Sequence, residues 1–598
     1  MTDVQPDPVR PFLDAWEQMT APGAPFAMEE VEVRGQRNRV FSSAPANLRE
    51  VWELSALQGD KPYLVYEDEH LTYAETHRIV RALAHHLRDV HGVGPGDRVG
   101  LAMRNYPEWV ITYWATISLG AACVGFNAWW TTPEMDYAVR DSAPTVLIVD
   151  DERLDRLRPV LADLRAERPL AVIAARTEGE LPEGVARWDD VVAGEVPDAL
   201  PPAEIDPDDD ATIFYTSGTT GKPKGAQITH RGSVHNILHL VFWTLVTVVA
   251  QAATPAEPTP ATDGDGDGDG AAEGGDADGG EAAEPKPLVY LAATPLFHVT
   301  ACNCVLHPVT MAGGTVVLLR KWDAGRALEL IERERVTNLA GVPTMSRELL
   351  AHPDYDRYDT SSLANLSGGG APVPPDLVEK IGDSLGRGSA TTGYGLTETS
   401  GIVTANTAAC YAAKPASCGP VVPTLDAKLT DENGEELPRD PNAVGRLWVK
   451  GPVVVKGYLN RPEATAEAIV DGWFDTGDVA RIDEDGFVFL VDRAKDMVLR
   501  GGENVYCSEV EAAIYEHPAV AEAAVFGVPD ERLGEEVATA VVLNPGATID
   551  LDELRAFVGE RLAPYKVPRH VHVRETPLPR NANGKFLKRE LRQELHPD

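Results

Sequence analysis

The sequence is short of positive charge, and of lysine in particular. It contains 14 lysines and 40 arginines against 93 acidic residues, which gives a formal net charge of −39 at pH 7. Nucleic acids and anionic membrane surfaces attract basic proteins, so this excess of acid argues against either as a partner. The remaining composition, 43% hydrophobic and 25% charged, is typical of a globular protein.

Cysteine is also scarce. Six cysteines are scattered along the chain, and only Cys302 and Cys304 lie close together. They lack the spacing with histidines that metal sites require. We expect a partly buried thiol pair here.

No apolar run is as long as a membrane-spanning helix. The most apolar stretch, residues 237–250, has 14 residues, whereas a spanning helix needs about 20. The first ten residues contain no apolar segment, so we expect no signal peptide. These absences predict a buried helix at 237–250 and a cytoplasmic protein with no integral membrane segment.

The length exceeds what one hydrophobic core supports, which is about 250–300 residues. Residues 71–90 predict a helix capped by Thr72, and strands follow at 97–104 and 144–150. Another helix is predicted to begin with Thr132 as N-cap and Pro133 at its first position. Helices that alternate with short apolar strands predict an α/β fold with a largely parallel sheet.

The pattern changes near residues 492–496. Beyond them, a helix with a Ser508–Glu511 capping box, two strands, a helix and a last strand predict a small α+β domain. We therefore expect a large, multi-part N-terminal domain of layered α/β sheets (residues 1–491), a hinge (492–496) and a small C-terminal domain (497–598).

Residues 254–287 interrupt the large domain. They contain the repeat DGDGDGDG and no aromatic residue. Such a segment buries too little apolar surface to offset its ordering entropy, so we predict a disordered, acidic surface insert. The repeat does not match the EF-hand pattern.

The most informative segment is YTSGTTGKPKG, residues 215–225. Six consecutive glycine, serine or threonine residues precede Lys222 and Lys224, after an apolar strand predicted at 211–215. Glycine permits the close backbone approach that cradling a polyphosphate requires. The loop is not of the G-x-x-x-x-G-K-[ST] type, because no Ser or Thr follows the lysine. The alternative is a polar surface turn.

Six downstream segments carry groups suited to the same chemistry. They are ATPLFHVTA (293–301), SGGGAPV (367–373), TGYGLTE (392–398), WFDTGD (473–478), DRAKDMVLRGG (492–502) and PLPRNANGK (577–585). With these segments the chain, from about residue 71 to 594, resembles the adenylate-forming acyl-CoA ligases. The resemblance implies that a carboxylate attacks the α-phosphate of Mg·ATP, giving an acyl-adenylate and pyrophosphate, and that the thiol of coenzyme A then displaces AMP.

The resemblance also implies roles for individual residues of the nucleotide site. The residues that would bind the β- and γ-phosphates are Thr216, Ser217, Gly218, Thr219, Thr220 and Lys224. Gly369, Gly370, Ala371 and Tyr394 would line the adenine. Thr397 would bind the α-phosphate, and Glu398 would ligate Mg²⁺. Asp478 and Arg493 would bind the ribose.

The small domain has implied roles as well. Lys585 would bridge the acyl carboxylate and the α-phosphate, Gly501, Gly502 and Glu503 would form a tunnel for coenzyme A, and Lys495 would be the hinge pivot. Without the resemblance, Lys585 is better explained as a solvated lysine after a glycine turn, and its place at the end of the matching segment PLPRNANGK reverses that preference.

His298 gives information about which carboxylic acid is the substrate. Amino-acid-activating relatives carry an aspartate at this position to pair the substrate ammonium, so an amino acid is disfavoured. His298 is also compatible with a core histidine. The helix at 237–250, with Phe242 and Trp243, resembles the one that lines the acyl tunnel of long-chain fatty acyl ligases, and a helix that belongs only to the core is an equal alternative. We predict a medium- or long-chain fatty acid.

Several alternatives remain open at this point. The substrate could be an aryl or other carboxylic acid, the acceptor could be a carrier protein, and a noncatalytic ligand-binding relative is the non-enzyme alternative. The expected state is a monomer or a homodimer.

Overall fold

The computed structural model describes residues 9–194, 196–216, 222–253, 287–369, 381, 384, 389–493, 496–500, 503–530, 532–581 and 584–596. The predicted insert, apart from Pro287, lies outside the described residues.

Two mainly parallel sheets form the centre of the large domain. The first has seven strands, in the order Lys224–Thr229, Asp210–Thr216, Ala122–Gly125, Arg98–Ala102, Val146–Asp150, Ala171–Ala175 and Val185–Arg187. The second has eight, in the order Gly401–Thr407, Ser389–Leu396, Asn365–Gly369, Asn338–Gly341, Val289–Ala292, Thr315–Leu318, Pro62–Tyr66 and Glu69–Thr72. Antiparallel strands occur only at their edges, which confirms the predicted α/β class.

A third, antiparallel sheet completes the large domain. Its strands are Gly419–Pro420, Phe487–Arg493, Trp473–Ile482, Gly445–Lys450 and Asp426–Thr430, with Ile469–Val470 beside Trp473–Ile482. A separate hairpin is formed by Met28–Val33 and Gln36–Phe41.

Helices cover both central sheets. In the large domain they are Arg10–Thr20, Leu48–Ser55, Tyr73–His91, Pro107–Ser118, Thr132–Ser142, Asp151–Glu167, Trp188–Val191, His230–Ala253, Val299–Ala301, His307–Ala312, Ala324–Glu334, Pro343–Leu350, Ala408–Ala413 and Pro462–Ala468.

The small domain has its own sheet and its own apolar cores, as an independent α+β unit should. Its sheet runs Glu503–Val505, Val498–Arg500, Gly534–Leu543 and Val520–Asp530, with His570–Arg574 parallel to Gly534–Leu543. Its helices are Cys507–Tyr515, Leu551–Gly559 and Lys588–Leu595.

The observed N-cap residues confirm one of the predicted helix starts and correct another. Thr72 caps its helix in a capping box with Glu75, as predicted. The N-cap predicted at Thr132 is wrong. Thr131 caps that helix instead, because only Thr131 lies three residues before Glu134, whose carboxylate accepts from the Thr131 amide and hydroxyl.

The predicted Ser508–Glu511 capping box is also wrong. The helix begins at Cys507, and the Ser508 hydroxyl donates to the Val491 carbonyl instead. Glu511 accepts from the Val525 amide at 2.8 Å and pairs with Lys588. Both side chains bond to residues that are distant in sequence, so the local capping box does not form.

The apolar helix is longer than the 14 residues predicted. It spans His230–Ala253, 24 residues, and among the described residues it alone is long and apolar enough to cross a membrane. Its first half is buried inside the protein and contains polar residues, including His230, His235 and Asn236. Their hydrogen bonds to other segments are those of a core helix, although Leu245 and Val248 near its end are exposed.

Buried histidines should make the fold sensitive to acid. His235 accepts a hydrogen bond from the Phe41 amide at 3.2 Å and donates to the Arg231 carbonyl at 3.0 Å, which requires a neutral ring. Burial lowers the pKa of His77 and of His235 to about 4, and that of His230 to about 3. The unfolded chain therefore binds more protons between pH 6.5 and about 4.

We expect the free energy of unfolding to be highest above pH 6.5 and to fall as the pH drops through that window. Each such histidine contributes up to about 1.4 kcal/mol per pH unit. Urea unfolding at pH 7.5 and 5.5 measures this directly. A midpoint that is equal at the two pH values would refute the expectation.

Candidate active site

The candidate site lies where the carboxyl ends of the two central sheets meet. Ligands of open parallel sheets bind at this edge. Asn105, just after the strand Arg98–Ala102 of the first sheet, joins the two edges. Its buried amide donates to the carbonyls of Ala292, Thr294 and Leu319 and accepts from the Leu296 amide at 2.9 Å. One side chain thus fixes the segment that leads to His298.

The predicted phosphate loop connects two antiparallel strands, Asp210–Thr216 and Lys224–Thr229. Thr216 and Lys224 end the two antiparallel strands and face each other, and the Thr216 hydroxyl donates to the Lys224 carbonyl at 3.4 Å. Ser217, Gly218, Thr219 and Thr220 lie outside the described residues. The hairpin confirms the predicted strand before the loop.

The segment TGYGLTE forms a strand and a tight turn. The strand Ser389–Leu396 is followed by a short 3₁₀ turn that carries Thr397 and Glu398, and the chain returns as Gly401–Thr407. A Cβ atom on Gly395 would lie 1.9 Å from the Gly401 carbonyl oxygen. Only glycine fits there, which explains this residue of the motif.

Tyr458 contacts both Glu398 and Lys224. The Tyr458 hydroxyl donates to Glu398 Oε1 at 2.9 Å, and the Lys224 ammonium lies 5.0 Å from the centre of the Tyr458 ring. All three side chains are partly buried. Burial and the Glu398 carboxylate raise the pKa of Tyr458, so its hydroxyl remains a donor at neutral pH.

Tyr394 and Asp478 form a second pair. The Tyr394 hydroxyl donates to Asp478 Oδ2 at 2.6 Å, and Asp478 is buried. Gly369 is paired across the sheet with Gly393, the residue before Tyr394, while Gly370 and Ala371 lie outside the described residues. The backbone of Arg493 faces that of Asp478 on the neighbouring strand; the structure does not describe the Arg493 side chain.

Lys585 is carried by a turn of the small domain. The Asn581 amide donates to the Lys585 carbonyl, the Asn581 side chain accepts from the Lys585 amide at 3.0 Å, and Arg580 donates to the Gly584 carbonyl. Gly584 has φ +77°, and a Cβ atom on it would lie 2.8 Å from Val342 of the large domain. The turn is therefore packed directly against the large domain.

His298 lies opposite this turn. It follows the buried Phe297, whose ring centre is 4.5 Å from its own. Burial, and then the nearby Lys585 ammonium, lower the pKa of His298 to about 3. The imidazole is neutral at physiological pH and adds no positive charge beside Lys585. Phe297 and Gly584, the residues before His298 and Lys585, line one cavity, so the two segments from different domains lie close together.

The other four predicted residues, three for the coenzyme A tunnel and one for the hinge, belong to the last part of the chain. Glu503 is exposed on the hairpin of Val498–Arg500 and Glu503–Val505, and the described contacts do not join it to the large domain. Gly501, Gly502 and Lys495 lie outside the described residues. On either side of Lys495, the Asp492 carboxylate accepts from the Cys507 amide and the Asp496 carbonyl accepts from its thiol.

A cavity of about 330 Å³ lies between the large domain and the turn that carries Lys585. The Arg104 guanidinium lies 4.0 Å from the centre of the Trp129 ring, and both residues line it. Its charged lining comprises Arg104, Arg320, Lys321, Arg580 and Glu348. A basic cavity on a chain of net charge −39 is suited to an anionic ligand.

The described contacts of Phe242 and Trp243 are those of core residues and give no support to the tunnel predicted from the sequence. Both are buried, and they pack against Phe12, Trp16 and Phe26 near the N-terminus. Apolar residues at helical spacing indicate that a face is buried, but not what covers it.

The helix meets the site on another side, at Asn236. The Asn236 amide donates to the Asn303 carbonyl at 2.9 Å and accepts from the Ile402 amide at 2.9 Å. Asn303, five residues after His298, donates to the Ser400 carbonyl at 2.9 Å. Both asparagines are fully buried, so this network fixes the segment after His298 to the apolar helix and to the turn that carries Glu398.

Sequence reasoning missed Tyr458, Asn105 and the basic cavity. Tyr458 lies in the segment KGYLNRP, where a glycine and an aromatic residue precede a helix that begins at Pro462. That composition marks a constrained turn, but the partners of Tyr458 are far away in sequence. Only the fold reveals them.

Comparison with known proteins agrees with this geometry. The model of the AMP-binding enzyme family matches residues 51–459, and that of the AMP-binding enzyme C-terminal domain matches residues 509–585. A feruloyl-CoA synthase of Amycolatopsis sp is 41% identical over 88% of this chain and 94% of its own length. A long-chain-fatty-acid–CoA ligase of Bacillus subtilis (strain 168) is 33% identical over 90% and 92%.

The solved structures lead to the same conclusion. The anthranilate CoA ligase AuaEII, in complex with anthranoyl-AMP, superposes with a TM-score of 0.79 and 25% identity, over 92% of this chain and 98% of its own. The chain belongs to the AMP-binding enzyme family, as one of its adenylate-forming acyl-CoA ligases.

Proposed function

We propose that the protein activates an aryl carboxylic acid of the phenylpropenoic class, such as ferulate, and transfers the acyl group to coenzyme A. The observation that carries the choice of acid is the 41% identity to a feruloyl-CoA synthase over 88% of this chain.

The fatty acid predicted from the sequence remains the second candidate. Its support is now the similarity to the Bacillus subtilis ligase, since Phe242 and Trp243 belong to the core. A carrier protein as acceptor is an outcome that the experiment below distinguishes.

We assign the phosphates of ATP to the predicted phosphate loop, with Thr216, Ser217, Gly218, Thr219, Thr220 and Lys224 as donors. Adenine would lie against Gly369, Gly370, Ala371 and the Tyr394 ring. Asp478, held by Tyr394, would accept from the ribose hydroxyls, assisted by Arg493. Thr397 would donate to the α-phosphate.

The residues present fit a magnesium ion that is bound mainly through ATP. Mg²⁺ keeps several waters and takes one or two carboxylates together with substrate phosphates. Glu398 offers a carboxylate, and no cluster of three His, Cys, Asp or Glu suited to a metal occurs within the described part of the chain. When bound, the ion supplies charge neutralisation at the phosphates. The chain's own part is to hold Glu398 in place.

Lys585 is proposed to bridge the substrate carboxylate and the α-phosphate. These groups are both anionic, and an ammonium between them lowers the electrostatic barrier to their approach. His298 lies beside it as a neutral imidazole, able to hydrogen-bond the acid without repelling Lys585.

The phosphates of coenzyme A would be attracted by the basic residues that the large domain contributes to the cavity, Arg104, Arg320 and Lys321. Thioester formation then requires the turn with Lys585 to move away. We propose that the small domain rotates about Lys495 and brings Gly501, Gly502 and Glu503 to the site, since a few residues at an element boundary can absorb such a change.

A panel of acids tests the proposal. Pyrophosphate release and acyl-CoA formation are measured for ferulate, 4-coumarate, benzoate, octanoate and palmitate, with and without coenzyme A. We expect kcat/KM for ferulate or 4-coumarate to exceed that for either fatty acid by about tenfold or more. Preference for palmitate would instead establish the fatty acid. Adenylation without transfer to coenzyme A would indicate a carrier protein.

A further inference from the structure

Tyr458 connects two parts of the site that are remote in sequence. Its hydroxyl holds Glu398 Oε1, and its ring faces the Lys224 ammonium. Glu398 belongs to the turn of the second sheet, and Lys224 to the hairpin of the first. Tyr458 has no role of its own in the proposed binding of Mg·ATP, although it contacts two residues that do.

The backbone around Tyr458 is fixed to both parts. The Leu459 amide donates to the Gly225 carbonyl at 2.8 Å, and the Val455 amide donates to the Glu398 carbonyl at 2.9 Å. The Tyr458 amide itself donates to the Thr465 hydroxyl at 2.9 Å. These three hydrogen bonds fix the backbone of residues 455–459, so the position of the Tyr458 ring does not depend on how the side chain of Glu398 or Lys224 moves.

Two physical effects follow from this placement. A hydroxyl that donates to one carboxylate oxygen fixes the carboxylate plane and leaves the other oxygen for a ligand. The ring face attracts the ammonium and limits the positions it can occupy. The two groups are thereby set at a constant separation before ATP arrives.

We propose that Tyr458 is a positioning residue that aligns the Glu398 carboxylate and the Lys224 ammonium for Mg·ATP. This inference rests on the proposed function, in which Glu398 ligates the metal and Lys224 binds phosphate. The hydroxyl acts on the metal through Glu398, and the ring acts on the phosphates through Lys224. The two effects are separable by substitution.

The test is a binding measurement. Mn²⁺, as a paramagnetic substitute for Mg²⁺, is titrated by EPR into the protein with α,β-methylene-ATP, and binding of the analogue without metal is measured by calorimetry. We expect Tyr458→Phe to weaken Mn²⁺ binding about tenfold or more, while binding of the metal-free analogue stays within about twofold. Tyr458→Leu should also weaken binding of the metal-free analogue, by about threefold, since the ring face is lost.

Tyr63→Phe is the matched control. The Tyr63 hydroxyl is buried and bonded to Thr310 at 2.7 Å, in the core of the large domain. Its loss should leave Mn²⁺ binding unchanged. Wild-type Mn²⁺ affinity in Tyr458→Phe would overturn the inference.

A double-mutant cycle tests whether Tyr458 acts through Glu398. In a Glu398→Gln background, Tyr458→Phe should cause no further loss of Mn²⁺ affinity, because the charged ligand that it positions is already lost. Additive losses would contradict the inference. If the wild-type protein itself fails to bind Mn²⁺ with the analogue, the proposed function fails and not only the role of Tyr458.

Discussion

Replacing Lys585 by alanine is expected to slow acyl-adenylate formation by about 10²–10³-fold, the usual cost of removing one preorganised electrostatic group. The Lys585 turn is packed on Val342 of the large domain, and its ammonium is close enough to shift the pKa of His298. Thioester formation from supplied acyl-adenylate should be largely intact, because the bond that Lys585 helps to form already exists. ATP–pyrophosphate exchange and single-turnover thioester formation measure the two steps.

Lys566→Ala is the matched control for this prediction. Lys566 is in the same domain and pairs with Glu509 at 2.6 Å. Its substitution also removes one ammonium group from the small domain, but at a position outside the candidate site. It should retain both half-reactions. Near-normal exchange in Lys585→Ala would refute the assigned role.

The second large effect is expected at Glu398. Glu398→Gln keeps the side-chain shape and an oxygen that can accept from Tyr458, but it removes the negative charge. We expect adenylation to fall by about 10²-fold or more at ordinary Mg²⁺ concentration, since one of the few protein ligands of the ion is lost.

The measurement is pyrophosphate release as a function of Mg²⁺ concentration. Partial recovery at high Mg²⁺ is expected, because a weakened site is filled by mass action. The exposed Glu463, replaced by glutamine, serves as the control and should behave like the wild-type protein. An unchanged Mg²⁺ dependence in Glu398→Gln would show that Glu398 is not the ligand.

The sequence was most informative where function depends on local backbone chemistry. Gly395 and Gly584 have to be glycines because of a close backbone approach and a positive φ, so their motifs identified the turns that carry Glu398 and Lys585. The helix capped by Thr72 was equally predictable, since its capping box lies within four residues.

Long-range partners could not be predicted in this way. Tyr458 meets Glu398 and Lys224 only after two sheets and a connecting segment are assembled. Asn105 gains its four hydrogen bonds from the edge of the other sheet. In both cases the side chain is ordinary in its local sequence, and its importance comes from the fold.

The hypothesis about the acyl tunnel lacks support for the same reason. The periodicity of the apolar helix predicted correctly that Phe242 and Trp243 are hidden from solvent. It gave no information about their neighbours, which include the helix Arg10–Thr20. The size of the acid was therefore the least predictable property of the site.

The central claim is that the acid is activated as an adenylate. The most direct measurement uses an acid labelled with ¹⁸O in its carboxylate, turned over with ATP and coenzyme A, with the products analysed by mass spectrometry. A carboxylate oxygen that attacks the α-phosphate leaves with AMP when the thiol attacks the carbonyl carbon. We predict one ¹⁸O atom in AMP and none in pyrophosphate. Label in orthophosphate, with ADP as the nucleotide product, would contradict the account.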